Sequence, residues 1–351
     1  MKILFIGETA NPRCIGGIET FGRTLKKFFK KKLLFLCFST KKIKYFEMED
    51  IIEINFDNFF IKILNRISKN KIRKSIISKK IEKIAPDICI LRAPNNLDYI
   101  KKKEIKTLLV QHNCYDDYVP LLMNYIEILK ENLDYFIFLS EYDKQKFIKE
   151  INFPEEKAKV IRHSCEMEIL EKKKKKNRKL IMIARLENKQ KRIDLAINAM
   201  KNLQDFNLII YGDGSDKKFL EDLIRKNNLN NVFLYGGTNQ VKEVLDNAGI
   251  FIMTSDYEGY GITNIEAMRR GLPIILRNTF EAAHDVVINN GILLDKEWNE
   301  DKFIEAVKKI YANYDYYSKN SIELGKRHDF EVIKKQWEDL VDSLEDEKNN
   351  E

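Results

Sequence analysis

The stretch that decides the fold runs from Gly249 to Asn278 and reads GIFIMTSDYEGYGITNIEAMRRGLPIILRN. The apolar runs GIFIMTS and LPIILRN are typical of buried strands, and the residues from Asn264 to Arg270 between them predict a helix. A strand, a helix and a second strand in this order form a right-handed unit with parallel strands. The stretch therefore predicts an α/β fold built on a parallel sheet.

The same alternation extends along the rest of the chain. In the first half, the runs KILFIG, KLLFLCFS, DICILRA, TLLVQHN and YFIFLS alternate with polar or helical segments such as residues 17–29. A charged stretch, Glu168 to Lys179, interrupts the pattern and reads as a linker or an exposed turn, after which KLIMIAR and NLIIYGDG restart it. Phe46 to Asn70 fits no element clearly. We predict two doubly wound, Rossmann-like domains, residues 1–168 and 169–329, and a C-terminal helix, residues 330–351, that is a candidate to cross back to the first domain.

Composition restricts the class of protein. Of the 351 residues, 44% are apolar and 33% are charged, which is typical of a globular chain. The longest clean apolar run, Leu33 to Phe38, is far shorter than the roughly 20 residues of a membrane helix, and MKILFIGE does not resemble a signal peptide. The five cysteines are scattered without a CxxC pair. We expect a reduced, cytoplasmic protein without structural zinc or disulfides.

The positive charge is concentrated in the first third of the chain. Residues 1–110 carry 25 Lys and Arg against 11 Asp and Glu, whereas the remainder is slightly acidic. Clusters such as residues 26–32 and 69–83 would suit an anionic membrane surface. A Lys-rich coding bias explains the same pattern, and both explanations stay open. Nucleic acid is disfavoured because stacking aromatics and a recognition motif are missing from the basic stretches.

Two loops that follow predicted strands carry candidate anion ligands. Gly16 and Gly17 precede a helix, where backbone N–H groups approach phosphates, although a simple turn explains them equally well. They do not form the GxGxxG pattern of nicotinamide enzymes. Arg185 ends a strand and Lys191 lies before the next helix, so both can point at one diphosphate. In isolation they are as readily explained as surface cations.

A third segment carries two carboxylates, Glu258 and Glu266, eight residues apart. Carboxylates accept hydrogen bonds from vicinal hydroxyls, which suits a sugar and a ribose side by side. The helix N-terminus between them presents N–H groups to phosphate. Thr263 and Glu266 also have the spacing of a capping box, which would explain Glu266 but not Glu258 or the Gly-Tyr-Gly loop.

These motifs together resemble the large family of retaining "group 1" glycosyltransferases related to glycogen synthase and sucrose synthase. The resemblance rests on ARLENKQKRIDLAI, YGDG, EGYGITNIEAMRRGLPII with its E-x7-E spacing, and NNGILLD, in the expected order. The first half matches loosely, through GGIE and the segment around His112. The resemblance implies a GT-B fold, in which two Rossmann-like domains face each other across a cleft, and a nucleotide-sugar donor with no cofactor and no required metal.

The resemblance also implies roles for individual residues. Arg185 and Lys191 would hold the donor diphosphate, Glu258 the sugar hydroxyls and Glu266 the ribose diol, while His112 would contact the sugar near the reacting carbon. The full predicted set is His112, Glu258, Arg185 and Lys191 as catalytic residues, with Gly16, Gly17, Gly212, Tyr260, Gly261, Ile262, Thr263 and Glu266 added as donor-binding residues. A histidine at a strand end would be ambiguous without this context.

The chain departs from the family pattern in two places. The family often has Asn-Gly where this chain has residues 161–164, reading IRHS, which puts a hinge contact in doubt. The spacing from Arg185 to Lys191 is one residue longer than usual, so Lys189 remains an alternative cation. The dipeptide Asp116-Asp117 is not a DxD motif, and we discount it as a metal site.

The sequence thus predicts a retaining transferase that moves a hexose or N-acetylhexosamine from a nucleotide sugar, most simply a UDP-sugar. The acceptor would be a hydroxyl of a glycan or glycolipid in bacterial surface polysaccharide or lipo-oligosaccharide synthesis, on the cytoplasmic face of the inner membrane. Retention would follow from attack on the face that the nucleotide leaves. A UDP-sugar 2-epimerase and a non-catalytic nucleotide-sugar-binding scaffold are the alternatives.

Overall fold

The computed structural model describes residues 1–7, 11–14, 17–38, 47–56, 63 and 66–350, with Asp117 and residues 348–350 described by their backbone alone. The chain divides into two compact units. Residues 1–163 and 333–351 form the first unit, and residues 164–332 form the second. Within the described residues, no helix combines the length and apolarity that crossing a membrane requires.

The first unit is built on a parallel sheet with the strand order β3-β2-β1-β4-β5-β6-β7. Most of its strands are buried apolar runs, as expected of a parallel sheet that helices cover on both faces. The strands are β1 Ile3–Gly7, β2 Leu33–Cys37, β3 Ile51–Glu53, β4 Ile88–Leu91, β5 Lys106–Val110, β6 Tyr135–Phe138 and β7 Ala158–Val160. The helices are α1 Gly17–Phe29, α2 Lys71–Ile84, α3 Tyr115–Leu122, α4 Ile126–Asn132 and α5 Glu141–Ile151.

The second unit repeats the design with the order β10-β9-β8-β11-β12-β13. Its strands are β8 Lys179–Ile183, β9 Asn207–Tyr211, β10 Val232–Tyr235, β11 Ile250–Met253, β12 Ile274–Arg277 and β13 Gly291–Leu294. Its helices are α6 Asn188–Lys191, α7 Ile193–Ala199, α8 Lys217–Lys226, α9 Val241–Asp246, α10 Ile262–Arg269, α11 Ala283–Val286, α12 Glu300–Ala312 and α13 Tyr314–Gly325. Two doubly wound parallel sheets confirm the predicted fold class.

The last helix, α14 Phe330–Asn350, belongs to the first unit from residue 333 onward. Its Trp337 is only 1% exposed and packs against Phe21 of α1, with ring centroids 5.9 Å apart. Burying a side chain of this size removes a large apolar area from water and dominates the local packing energy. The C-terminal segment is therefore part of the hydrophobic core of the first unit.

The charged stretch Glu168 to Lys179, predicted to be a linker or an exposed turn, contains one buried lysine. It lies within the second unit, and its Lys174 is buried, with 5% exposed. The ammonium donates hydrogen bonds to the carbonyls of Leu245 at 2.6 Å and Asp246 at 2.8 Å. Last-turn carbonyls lack intrahelical donors, so a lysine that reaches the end of α9 satisfies them. Lys174 therefore departs from the prediction of a linker or an exposed turn, because charge density alone does not indicate such a cap.

Candidate functional site

The topological switch point of the second sheet lies between β8 and β11, which pair with each other. Ligands of open parallel sheets bind beyond the carboxyl ends of the strands at such a point. Arg185 and Lys191 follow β8, and Glu258 follows β11. The strand order therefore brings these predicted site segments to the same edge of the sheet.

Lys191 and Glu258 form an ion pair between Nζ and Oε1. Their side chains are mostly enclosed, with 13% and 11% exposed. The Ser255 hydroxyl donates a hydrogen bond to the same Oε1 at 2.8 Å. Lys189, by contrast, is exposed and has no ion-pair partner among the described residues. This arrangement favours Lys191 over Lys189 as the cation of the site.

A backbone kink explains why Lys191 reaches Glu258. Arg192 adopts a left-handed conformation, with φ 46° and ψ 43°, and separates α6 from α7. Thr254, the residue after β11, donates through its hydroxyl to the carbonyls of Lys191 at 3.0 Å and Arg192 at 2.8 Å. The end of α6 is thereby bonded to the end of β11, which sets the distance between the lysine and the Glu258 loop.

A second carboxylate of this loop, Asp256, fixes the loop rather than facing a ligand. Arg277 at the end of β12 donates to its Oδ1 at 2.5 Å, and Arg192 donates to its Oδ2 at 3.4 Å. The backbone N–H of Asp256 donates to the carbonyl of Gln190 at 2.8 Å. No sequence motif indicated Asp256 and Arg277 as supports of the site. The only signal was an arginine at the end of an otherwise apolar strand.

Two predicted glycines have steric reasons for being glycine. Gly261 has φ 78°, and a Cβ there would lie 2.5 Å from Nδ2 of Asn264. A Cβ on Gly212 would lie 1.8 Å from the carbonyl oxygen of Ala184. Tyr260, between the loop glycines, is 2% exposed. Its side chain therefore belongs to the core, and only its backbone is placed for the predicted donor contact.

The second carboxylate of the motif, Glu266, lies on α10, which begins at Ile262. The residue at the N-cap is Gly261, and no side chain caps the helix. Thr263 lies inside the first turn, so the capping-box explanation of Glu266 does not hold. The Glu266 carboxylate has no hydrogen bond or ion pair among the described residues, and burial raises its pKa to about 7. An enclosed carboxylate without donors is costly and is open to hydroxyl groups of a ligand.

Arg185 lies apart from this pair in the structure. Its guanidinium pairs with Glu187 at 3.2 Å, and both side chains are exposed, at 60% and 42%. Exposed pairs of this kind contribute little to stability, so the arginine can change partner at small cost. The structure thus brings Lys191, Glu258 and Ser255 together, whereas Arg185 follows the same strand without joining them.

The predicted residues of the first unit have different environments. Gly16 lies outside the described residues, and Gly17 opens α1 with no atom within 4 Å of an added Cβ, so no steric constraint requires glycine there. His112 follows β5 and meets Phe21 edge-on, with ring centroids 5.0 Å apart. Its Nε2 is buried without a hydrogen-bond partner among the described residues. Burial, followed by the neighbouring His163 and Arg92, lowers the pKa of His112 well below its usual value.

Comparison with known proteins shows which family the second unit resembles. Residues 166–328 match the family Glycosyl transferases group 1. The match contains Lys191, Glu258 and Glu266, covers just under half of the chain, and confirms the resemblance predicted from the sequence.

Two curated relatives each align with just under half of the chain. One is the UDP-N-acetylglucosamine–peptide N-acetylglucosaminyltransferase GtfA subunit of Limosilactobacillus reuteri subsp. suis, 29% identical over 49% of this chain and 36% of that protein. The other is the poly(ribitol-phosphate) alpha-N-acetylglucosaminyltransferase of Staphylococcus aureus, 30% identical over 44% of this chain and 33% of that protein. The chain thus matches about a third of the length of each relative.

A solved structure extends the likeness to both units. The lipopolysaccharide outer core galactosyltransferase WaaB superposes with a TM-score of 0.76 over 98% of this chain and 99% of that one, at 19% identity. At this identity the likeness shows the fold alone. It agrees with the prediction of a GT-B fold with two Rossmann-like domains.

Proposed function

We propose that this chain is a glycosyltransferase that transfers a hexose or N-acetylhexosamine from a UDP-sugar to a hydroxyl group, with retention at the anomeric carbon. The observation that carries the proposal is the ion pair of Lys191 and Glu258 at the switch point of the second sheet, inside the segment that matches the family. A cation beside a carboxylate, next to a helix N-terminus, suits a ligand that carries phosphates and hydroxyls together.

Each group has a distinct task in this proposal. Lys191 neutralises the diphosphate as it departs, together with the N–H groups at the start of α10. Glu258 accepts hydrogen bonds from sugar hydroxyls, and Glu266 accepts them from the ribose diol. Arg185 exchanges Glu187 for phosphate, a bidentate anion that matches the guanidinium. His112, held neutral by its burial, donates or accepts a hydrogen bond without adding charge near the reacting carbon.

The proposed reaction needs no protein nucleophile. The bond from the anomeric carbon to the β-phosphate oxygen breaks, and the acceptor oxygen forms a bond to the same face of that carbon. The proton of the acceptor hydroxyl passes to the departing phosphate oxygen. The lysine and the helix N-terminus supply the positive charge that a metal provides in other phosphate sites, so we expect no dependence on a divalent cation.

The names of the relatives support a surface polymer or a related glycan as acceptor. One relative modifies a peptide, a second a poly(ribitol-phosphate), and WaaB the lipopolysaccharide outer core. We propose an acceptor of bacterial surface polysaccharide or lipo-oligosaccharide synthesis, reached at the cytoplasmic face of the membrane. The excess of positive charge in residues 1–110 supports a peripheral contact with anionic lipid.

Helix α2 is the part of the first unit that best fits this contact. It exposes Ile72 and Ile76 beside Lys71, Lys74 and Lys79. Apolar side chains between lysines are typical of helices that lie in a membrane interface. Vesicles with and without phosphatidylserine test the contact, with Ile72→Ser/Ile76→Ser as the variant. Equal sedimentation with neutral and anionic vesicles would contradict it.

Ligand-induced stabilisation is the first test of the donor site. Melting temperatures are measured with UDP, GDP, ADP, CMP and their sugars, with and without EDTA. A ligand at 100 times its Kd stabilises the folded state by about 2.7 kcal/mol, which gives a clear shift. We expect UDP and one UDP-sugar to raise the melting temperature regardless of EDTA. If every nucleotide leaves the melt unchanged, the donor site is wrong.

Turnover is tested with Glu258→Ala, with Glu297→Ala as a control because Glu297 is exposed. We expect the first variant to fold and bind UDP but to lose most transfer activity, and the control to keep it. Near-wild-type turnover of Glu258→Ala would contradict the assigned role. Mass analysis separates transfer from epimerisation, which conserves the mass of the donor.

A further inference from the structure

Arg92 occupies the switch point of the first sheet. It is the first residue after β4, and β4 pairs with β1 on one side and β5 on the other. The order of strands reverses at β1, so the crevice where ligands of such sheets bind opens between β1 and β4. Arg92 therefore stands at this crevice, beside the segment after β5 that carries His112.

The guanidinium of Arg92 has no partner among the described residues. It is half-buried, and its Nε is fully enclosed without a hydrogen-bond acceptor. Two other enclosed arginines have a counter-charge: Arg13 pairs with Glu53, and Arg277 pairs with Asp256. Taking a cation partly out of water without a counter-charge is costly. A ligand that supplies the missing negative charge would offset this cost.

Two further hydrogen-bond donors near Arg92 are also unsatisfied. Tyr118 on α3 is 4% exposed, and its enclosed hydroxyl has no partner among the described residues. Nε2 of His112 is enclosed in the same way. The charge of Arg92 acts on both groups: it opposes the rise that burial causes in the pKa of Tyr118, and it adds to the lowering of the pKa of His112. Arg92 and His112 also follow the paired strands β4 and β5, so both lie at the same edge of the sheet.

The chemistry of the cluster selects an anion. The guanidinium and the phenol are donors, and the neutral imidazole is a donor in the tautomer that carries its proton on Nε2. None of the three side chains is a carboxylate, so an ammonium group finds no counter-charge among them, and no group of three His, Cys, Asp or Glu that could hold a metal ion occurs among the described residues. Unsatisfied hydrogen-bond donors beside a positive charge match a phosphate or a carboxylate group.

We propose that Arg92 and Tyr118, beside the His112 assigned to the donor sugar, form an anion subsite that holds a phosphate or carboxylate group of the acceptor. The acceptor is then an anionic saccharide or polyol phosphate rather than a neutral sugar. The assignment to the acceptor rests on the proposed function, whereas anion binding itself does not. Arg185 and Lys191, the two side chains assigned to the donor diphosphate, belong to the second unit, whereas Arg92, Tyr118 and His112 belong to the first.

Binding is tested on the full chain without any donor. Calorimetric titration compares sn-glycerol 3-phosphate with glycerol, and glucuronate with glucose. We expect the anionic member of at least one pair to bind and the neutral members not to bind. Arg92→Gln should weaken binding about tenfold or more, because it removes a charge-assisted hydrogen bond. Arg66→Gln, which removes the same charge from an exposed position of the first unit, should leave it unchanged.

Tyr118→Phe separates a binding role from a structural one. Removing an unsatisfied buried hydroxyl leaves the melting temperature equal or higher, whereas a lost anion contact weakens binding several-fold. A variant that melts earlier and binds anions normally would overturn the proposal. Equal binding of both anions to wild type and Arg92→Gln would do the same.

Titration of UDP identifies the source of the anion. UDP should bind wild type and Arg92→Gln with the same affinity if the subsite serves the acceptor. A loss of UDP binding in Arg92→Gln would assign the arginine to the donor and overturn the proposal. Anion binding that is lost in Arg92→Gln, in a protein that binds no nucleotide, would leave the subsite standing and refute the proposed function instead.

Discussion

The hydroxyl of Tyr260 lies 3.1 Å from Nε2 of His328, with both side chains almost fully buried at 2% and 1% exposed. The carbonyl of His328 accepts a hydrogen bond from the N–H of Cys165 at 2.8 Å. Cys165 lies at the beginning of the second unit and His328 near its end. Hydrogen bonds of Tyr260 and His328 therefore connect the loop that carries Glu258 to the two segments where the chain enters and leaves this unit.

Tyr260→Phe tests whether the hydrogen bond between Tyr260 and His328 positions the loop. The substitution removes one partner of a buried hydrogen bond and leaves the other partner unsatisfied, which costs about 1–3 kcal/mol. We expect a lower melting temperature and weaker UDP binding, because the loop backbone beside Gly261 is no longer held by this hydrogen bond.

The neighbouring Tyr257→Phe is the matched control for that experiment. Tyr257 belongs to the same loop but is 40% exposed, so its hydroxyl can exchange protein contacts for water. We expect it to change neither the melting temperature nor the affinity for UDP. Equal effects of the two variants would show that the Tyr260–His328 contact does not position the loop.

Lys191 and Lys189 give a second prediction. Lys191→Met removes the cation of the Glu258 pair and leaves an enclosed carboxylate uncompensated, whereas Lys189→Met removes an exposed charge. Breaking an enclosed ion pair from one side costs about 3–5 kcal/mol when burial is complete, and less here. We expect Lys191→Met to melt earlier and to lose UDP binding, and Lys189→Met to keep both. If Lys189→Met loses UDP binding and Lys191→Met keeps it, Lys189 is the phosphate ligand instead.

The sequence predicted the parts of the fold that local pattern determines. Apolar runs located most strands of both sheets, and the helix that opens at Gly17 was predicted with its observed ends. The strand Ile51–Glu53 was missed because its three residues are only half-buried and lie at the edge of the sheet. Three residues are too few for an alternating pattern to stand out.

Contacts between distant parts of the chain escaped prediction. Arg277 reaches Asp256 across 21 residues, and Tyr260 reaches His328 across 68. Such pairs depend on strand order and on the rotation of loops, which periodicity does not encode. Arg92 was missed because a single arginine after a strand is ordinary, and only its lack of partners among the described residues of the folded chain distinguishes it.

The close approach of two loops at Gly212 gives a third prediction. A methyl group at this position would lie 1.8 Å from the carbonyl oxygen of Ala184, so Gly212→Ala forces the ends of β8 and β9 apart. We expect the second unit to lose several kcal/mol of stability or to fail to fold, since overpacking of this kind costs about 1–3 kcal/mol or more. At Gly236 the nearest atom is 3.7 Å away, an ordinary contact. Gly236→Ala should therefore melt like wild type, and similar melts of both variants would refute the steric argument.

The enclosed carboxylate of Glu266 makes the stability of the ligand-free protein depend on pH. Burial raises its folded pKa to about 7 from the ordinary value of 4.5. Between these values the unfolded chain has released a proton that the folded chain retains, so stability falls as pH rises from 4.5 to 7 and is constant above. The loss is on the order of 3 kcal/mol.

Glu266→Gln removes this titration. We expect the variant to melt later than wild type at about pH 8 and to differ little at about pH 4.5, while Glu297→Gln shifts the melt equally at both values. With UDP bound, wild type should melt later than Glu266→Gln at the higher pH. The reason is that ribose hydroxyls can donate to the carboxylate of wild type and stabilise its charged form. The affinity of wild type for UDP should then fall as the pH drops below about 7. A pH-independent affinity, with Glu266→Gln binding UDP as tightly as wild type, would remove Glu266 from the donor site.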